Sequence, residues 1–82
     1  MHLLILSPDQ QIFSGEVKSV TAPGSDGQFQ VLNNHAALVS ALAPGRIEVV
    51  GENGEKLSWT IGGGFAEVLN NEIALLVSGV KA

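Results

Sequence analysis

Turn-forming residues recur along this chain at intervals that leave little room for helices. They form six clusters: Ser-Pro-Asp at 7–9, Pro-Gly-Ser-Asp-Gly at 23–27, Asn-Asn at 33–34, Pro-Gly at 44–45, Asn-Gly at 53–54 and Asn-Asn at 70–71. Proline fixes φ, whereas Gly and Asn reach positive φ more easily than other residues, so each cluster indicates a chain reversal. No convincing helix of ten residues fits between the clusters. The spacing predicts an all-β fold, a small antiparallel β-sandwich or flattened barrel of about eight to ten short strands in two sheets.

Alternation of polar and apolar residues indicates the clearest strands. In the segment 28–31, Phe29 and Val31 lie on one face of the strand and the glutamines on the other. The segments on either side of Asn53-Gly54 also alternate, which predicts a hairpin with Trp59 on its buried face. The apolar run 3–6 before Ser-Pro-Asp fits a first strand that is buried on both faces, or nearly so.

Two segments are less clear from the sequence. Residues 36–43 are apolar except for Ser40, and Leu38 and Leu42 have helical spacing, although the short length and flanking turns favour a strand. Gly15 interrupts the segment 11–22 and predicts a turn or bulge between two strands. Neither face of the second of these strands is cleanly apolar.

Composition excludes several classes of function. The chain of 82 residues is one small domain, 1–82, and with 45% hydrophobic and 15% charged residues it is too apolar to be disordered. This composition leaves apolar surface for a partner. A net charge of −4 with only four Lys and Arg residues argues against nucleic acid or anionic lipid as a partner. The absence of Cys excludes disulfides and thiol chemistry. No apolar run approaches the ~18 residues of a membrane span, which predicts a soluble, unexported chain without membrane insertion.

Residues suited to catalysis or metal binding form no recognisable pattern. His2 and His35 are far apart and lack a spaced carboxylate, so a structural or interface role for His35 is favoured over a metal site. The three glycines at 62–64 lack the Gly-Lys-Ser/Thr ending of a phosphate loop, and a bend or close approach between strands is favoured. Glu67 is either a half-buried acid or, as we favour, the outward residue of an alternating strand. We expect no catalytic residue, metal, cofactor or small-molecule substrate.

The order of these pieces resembles a known family. Pro-Gly-Ser-Asp-Gly, a short alternating strand, Asn-Asn-His-Ala, an apolar run and Pro-Gly follow one another in this chain. Phe-Ser-Gly-Glu-Val at 13–17 precedes them and Ile-Gly-Gly-Gly-Phe-Ala-Glu-Val at 61–68 follows. Together they resemble the amino-terminal domain of the epsilon subunit of bacterial F-type ATP synthase, over nearly the whole chain. The resemblance implies the same architecture of two packed sheets.

The resemblance also implies a function. In that family the domain is a non-catalytic part of the central stalk, or rotor, which packs on the gamma subunit, rests on the polar loops of the c-ring and couples ion flow to ATP synthesis. It lies peripherally on the cytoplasmic side of the bacterial inner membrane. Carried over by position, the implied c-ring contacts are Gln28, Phe29 and Gln30. The implied gamma contacts are Ser7, Ile12, His35, Ala36, Leu38, Val39 and Ser40.

The chain departs from the family pattern in three places. Gln28 stands where many relatives carry an acid, so we expect a neutral hydrogen bond to the ring in place of an ion pair. Ala37 stands where many have Pro, which predicts a less rigid loop after His35. The family commonly continues into an inhibitory helical hairpin that in some members binds ATP; we expect neither hairpin inhibition nor an ATP site here. Met1 and a regular last strand suggest a complete gene product, although a truncated chain would have the same features.

Two other functions are consistent with a small β-sandwich. The first is a stand-alone module that binds a peptide or glycan through the face of Gln28 and Gln30. Such a module needs an exposed aromatic platform, whereas most of the four aromatic side chains are expected to point inward. The second is a small hydrolase, which is the weaker alternative because no Ser–His–Asp arrangement follows from the sequence.

Overall fold

The computed structural model describes residues 1–81, which form eight β-strands and no helix. The strands are β1 (His2–Leu6), β2 (Gln11–Gly24), β3 (Gly27–Leu32), β4 (Leu38–Leu42), β5 (Gly45–Gly51), β6 (Lys56–Ile61), β7 (Gly63–Leu69) and β8 (Glu72–Ser78). The all-β prediction is therefore confirmed, and so is the strand in the apolar run 36–43. The part of the chain that the structure describes contains no helix that is long and apolar enough to span a membrane.

The strands form two layers that share β2. In the first sheet β1, β8, β7 and β4 are neighbours in that order, and β1 also pairs with residues 11–16 of β2. In the second sheet the order is β3, β2, β5 and β6, with residues 17–24 of β2 in the ladders. All these pairings are antiparallel apart from β1 with β8, which is parallel. The single pair Gly24–Leu42 joins the two sheets at the other end of β2.

The long strand β2 corrects one prediction. We expected a turn or bulge at Gly15, but Gly15 pairs with Leu3 within an unbroken run of pairs from Phe13 to Glu16. One register shift lies before it, at Ile12, between the pairs Ile5–Phe13 and Leu6–Gln11. A second lies three residues after it, where Val17 opposes Gly51 and Ser19 opposes Val50, so that Lys18 is an extra residue. Such a bulge moves the following side chains to the opposite face. Val17 is buried before it and Val20 is buried after it, which is why neither face of this segment is apolar throughout its length.

The core lies between the two sheets and is entirely apolar. Fifteen hydrophobic residues are buried in one cluster, and within residues 1–81 no polar or charged residue is buried. The first sheet contributes alternate residues such as Leu3, Ile5 and Leu75, and the second contributes Ile47 and Val49. Trp59 covers one margin of this core, where its ring meets that of Phe13 edge-on at 5.6 Å.

The predicted turns have the expected backbone. Asn34, Asn70 and Asn71 have φ values of 64°, 51° and 61°, which are left-handed values that Asn tolerates. The two Asn turns are also joined: the Asn34 backbone N–H donates to Asn71 Oδ1 at 2.7 Å, and Asn71 Nδ2 donates to Asn34 Oδ1 at 3.0 Å. The loop that leads from β3 into β4 is thereby fixed against the β7–β8 turn.

Candidate functional site

The outer face of the first sheet is apolar. Inward-pointing residues of its strands alternate with outward-pointing ones, and the strand registers place the outward residues in rows across the sheet. One row contains Ala41, Phe65 and Leu76 with Leu6, and the next contains Val39, Glu67 and Ala74 with Leu4. We call this surface the apolar face; its members are Leu4, Leu6, Val39, Ala41, Phe65, Leu69, Ala74 and Leu76, with Glu67 among them.

Exposed large hydrophobic residues concentrate on the apolar face. Val39 is 74% exposed, Phe65 61%, Leu69 53% and Leu76 52%. Among residues 1–81 only Leu32, at 51%, is a large hydrophobic residue that is comparably exposed elsewhere. A contiguous apolar surface of this kind typically marks a protein interaction site, whereas isolated exposed hydrophobic residues are common on any protein.

The charges at the apolar face have one sign. Strands β1, β4, β7 and β8 contain Glu67 and Glu72 but no Lys or Arg. Glu67 is exposed and takes part in no salt bridge or side-chain hydrogen bond found in residues 1–81. It stands between Val39 of β4 and Ala74 of β8, and it lines a shallow depression with Leu4 and Leu69.

The outer face of the second sheet is polar. One shallow depression across it is lined by seven polar residues together with Val49, Val50 and Leu57; the polar residues are Ser19, Thr21, Gln30, Arg46, Glu48, Lys56 and Ser58. Arg46 Nε lies 3.7 Å from Glu48 Oε2, and Arg46 Nη2 donates to Ser58 Oγ at 3.2 Å. Both contacts are exposed to solvent and contribute little to stability. We call this surface the polar face; Gln28 and Leu32 continue it along the edge strand β3.

The residues implied as gamma contacts do not share one surface. Val39 lies on the apolar face, and Ser7 borders it beside Leu6 and Leu76. Leu38 and Ser40 alternate with Val39 and are half-buried. Ile12 lies elsewhere, beside Trp59 and Val80. His35 and Ala36 occupy the loop after Asn34, at the end of the sheet opposite Ser7, and His35 Nδ1 lies 2.7 Å from the Ala36 carbonyl oxygen.

The residues implied as c-ring contacts are divided between two faces of β3. Gln28 and Gln30 are exposed on the polar face, as their alternation predicted. Phe29 is half-buried on the other side of the strand, where its ring packs against Gly24. The side chains available to a partner at this edge are therefore the two amides.

Sequence analysis missed most of the apolar face. Three of the four aromatic side chains pack against the core, as expected, but Phe65 is exposed. The exposure of Leu69 and Leu76 was not predicted. The outward position of Glu67 is confirmed. This position could have been used to predict the exposed residues of β7. Because side chains alternate along a strand, an outward Glu67 requires Phe65 and Leu69 to point outward as well.

Polar side chains form one chain of contacts on β1 and β2, but it lacks the features of an active site. His2 Nδ1 lies 2.9 Å from Glu16 Oε2, and His2 Nε2 lies 3.4 Å from Ser14 Oγ. The second distance is long for a hydrogen bond to a hydroxyl group, and the contacts are exposed to water. No group of three or more metal-ligating side chains occurs in residues 1–81. The exposed apolar face is the feature of the structure that is typical of a protein interaction site.

Comparison with known proteins shows the family that the chain resembles. The family model described as ATP synthase, Delta/Epsilon chain, beta-sandwich domain matches residues 1–82. The chain is 46% identical over 79 residues to an ATP synthase epsilon chain from Nitratiruptor sp., covering 96% of this chain and 61% of that protein. It is 43% identical over 77 residues to the epsilon chain of Chlorobium limicola, covering 94% and 88%.

A solved structure agrees with the sequence matches. A chain in the mitochondrial ATP synthase of Euglena gracilis, determined as a complex of OSCP, F1 and c-ring, superposes with a TM-score of 0.89 and 32% identity. The match covers 96% of this chain and 51% of the Euglena chain. The chain therefore belongs to the family of ATP synthase delta/epsilon chain β-sandwich domains.

Proposed function

We propose that the chain is a non-catalytic central-stalk subunit of an F-type ATP synthase. In this role it binds the gamma subunit and contacts the c-ring, so that it helps to couple ion translocation to ATP synthesis. The relatives from Nitratiruptor and Chlorobium are both ATP synthase epsilon chains, and the Euglena match comes from a complex that includes F1 and the c-ring. A stalk subunit of this kind would lie peripherally on the cytoplasmic side of the bacterial inner membrane.

The main support for the proposal is that one outer face is apolar and the other is polar. A subunit that turns together with gamma needs a durable contact, and apolar burial is the main favourable term in lasting protein association. The apolar face offers Val39, Phe65, Leu69 and Leu76 for that contact, each more than half exposed in the isolated chain. We therefore propose this face as the centre of the gamma interface, with Ser7 and His35 at its two ends.

The edge of the polar face suits the c-ring contact. Gln28 and Gln30 present uncharged amides that both donate and accept hydrogen bonds. Such groups can pair with the polar loops of a ring without requiring a particular charge. The remaining candidates, Ile12, Ala36, Leu38, Ser40 and Phe29, are proposed to support these contacts from half-buried or loop positions.

The direct test is titration of the chain into an alpha–beta–gamma complex of the same organism, with binding followed by calorimetry and ATP hydrolysis assayed in parallel. We expect one-to-one binding that leaves hydrolysis largely uninhibited. Val39→Asp places a charge at the most exposed apolar position and should weaken binding at least about tenfold.

Leu32→Asp is the matched control for the titration. It makes the same kind of change at a residue that is 51% exposed on the polar face, and it should leave the affinity for the complex within about twofold of wild type. Absence of binding by the wild-type chain would contradict the proposed function. Equal losses for Val39→Asp and Leu32→Asp would contradict the choice of face.

A further inference from the structure

Glu67 is a charged group in the middle of the apolar face. Its neighbours across the sheet are Val39 on β4 and Ala74 on β8, and its neighbours along β7 on the same face are Phe65 and Leu69. Any partner that covers these apolar side chains must also cover the carboxylate. Taking a carboxylate out of water is strongly unfavourable unless an opposite charge and hydrogen bonds compensate for the loss of hydration.

Within residues 1–81 no cation pairs with Glu67, and the Met1 ammonium group lies beside Glu16 instead. Its four Lys and Arg residues are Lys18 at the β2 bulge, Arg46 and Lys56 on the polar face, and Lys81 near the end of the chain. His2 lines the same depression as Glu67, but its Nδ1 is 2.9 Å from Glu16. The compensating charge must therefore come from the partner.

The same charges disfavour a second copy of this chain as the partner. In a two-fold dimer the same surface patch occurs on both sides of the interface. Pairing two apolar faces would bring Glu67 and Glu72 of one copy against the same acids of the other, with no Lys or Arg in β1, β4, β7 or β8 to offset them. Like charges in such an interface are strongly unfavourable.

We infer that the gamma surface that covers the apolar face presents one Arg or Lys side chain to Glu67, and that this ion pair fixes the position of the chain on its partner. The inference rests on the proposed function. Arginine fits best, because its planar guanidinium group binds a carboxylate through two parallel hydrogen bonds and is less strongly hydrated than an ammonium group. The apolar contacts supply affinity, and the ion pair supplies register and selectivity.

The test is binding of Glu67→Gln and Glu67→Lys chains to the alpha–beta–gamma complex, with association and dissociation rates measured at several salt concentrations. Gln keeps the shape and removes the charge. We expect Glu67→Gln to bind at least about tenfold more weakly, mainly through faster dissociation, because the loss of one member of a buried pair acts on the dissociation rate. Glu67→Lys places a second cation against the Arg or Lys of the gamma subunit, so this variant should bind at least about a hundredfold more weakly.

Glu48→Gln and Glu48→Lys are the matched controls. Glu48 is also an exposed carboxylate in the middle of a strand, but it lies on the polar face. These variants should bind within about twofold of wild type. Thermal unfolding of all four variants close to that of wild type would show that Glu67 acts in binding and not in folding, since its side chain is exposed in the free chain.

The outcomes separate the ion pair from the proposed function. If the wild-type chain and Glu67→Gln bind equally well, the inferred ion pair is contradicted, whereas the proposed stalk function is not. A change confined to the association rate and removed by salt would identify Glu67 as a charge at the margin of the interface and would also overturn the inference. If the wild-type chain does not bind the complex, both the function and the ion pair fail.

Discussion

At Gly64 the backbones of β7 and β8 approach each other too closely for a side chain. Gly64 has φ of +152°, and a Cβ built there would overlap the Leu76 carbonyl oxygen and lie 2.9 Å from Val77 Cα. Both contacts are to backbone, which cannot move aside without disturbing the β7–β8 ladder. The sequence predicted a close approach within the three glycines at 62–64, and the structure places it at Gly64.

We therefore expect Gly64→Ala to destabilise the chain by about 3 kcal/mol or more, because it combines backbone strain with a backbone clash in the first sheet. The free energy of unfolding, measured by urea denaturation, checks this value. The control is Gly54→Ala. Gly54 also has a positive φ, of +84°, but open space surrounds its Cβ position, so that only the backbone strain of about 1–2 kcal/mol remains. Equal losses for the two variants would contradict the proposed clash.

At the scale of elements, the β2 bulge allows one strand to serve both sheets. Before Lys18, β2 pairs with β1 of the first sheet; around and beyond Lys18 it pairs with β5 and β3 of the second. The extra residue changes which side chains face the core, so that Val17 and Val20 are both buried although three positions separate them.

Deletion of Lys18 should therefore be far more harmful than its substitution. Without the extra residue, either Val17 or the pair Val20 and Ala22 must turn outward, and exposing even one Val costs about 1.5–3 kcal/mol. We expect the deletion to lower the free energy of unfolding by about 3 kcal/mol or more. Lys18→Ala should change it by less than about 0.5 kcal/mol, because the side chain is exposed. A deletion variant as stable as Lys18→Ala would show that the bulge is not required.

These elements also show what the sequence can and cannot predict. The turns at Asn53-Gly54 and Asn70-Asn71 were predictable because their backbone requirements are local and few residue types meet them. The bulge at Lys18 was not predictable, because Lys is not a residue type that favours bulges. Gly15, which is such a residue type, indicated the wrong position. The parallel pairing of β1 with β8 joins the two ends of the chain, and no local pattern encodes it.

The candidate site was predictable only in part for the same reason. Alternation correctly placed Gln28 and Gln30 on an exposed face. The apolar face, in contrast, exists only because Val39, Phe65 and Leu76 come from three strands whose registers bring them side by side. A register is a property of paired strands and cannot be determined from one strand alone.

At the scale of the whole molecule, the two outer faces have opposite character. The apolar face has acidic residues and no Lys or Arg in β1, β4, β7 and β8, whereas the polar face carries Arg46 and Lys56 together with Glu48. Under the proposed function, the rotor shaft would cover the apolar face, and the polar face would remain available at its β3 edge for the ring.

Hydroxyl-radical footprinting of the chain, alone and bound to the alpha–beta–gamma complex, tests this account most directly. Phe65, Leu69 and Leu76 should become strongly protected from oxidation on binding. Leu32 has nearly the same exposure, 51% against 52% for Leu76 and 53% for Leu69, but lies on the polar face and should stay reactive. Protection of Leu32 with continued oxidation of Phe65 and Leu76 would contradict the assignment of the apolar face to the gamma subunit.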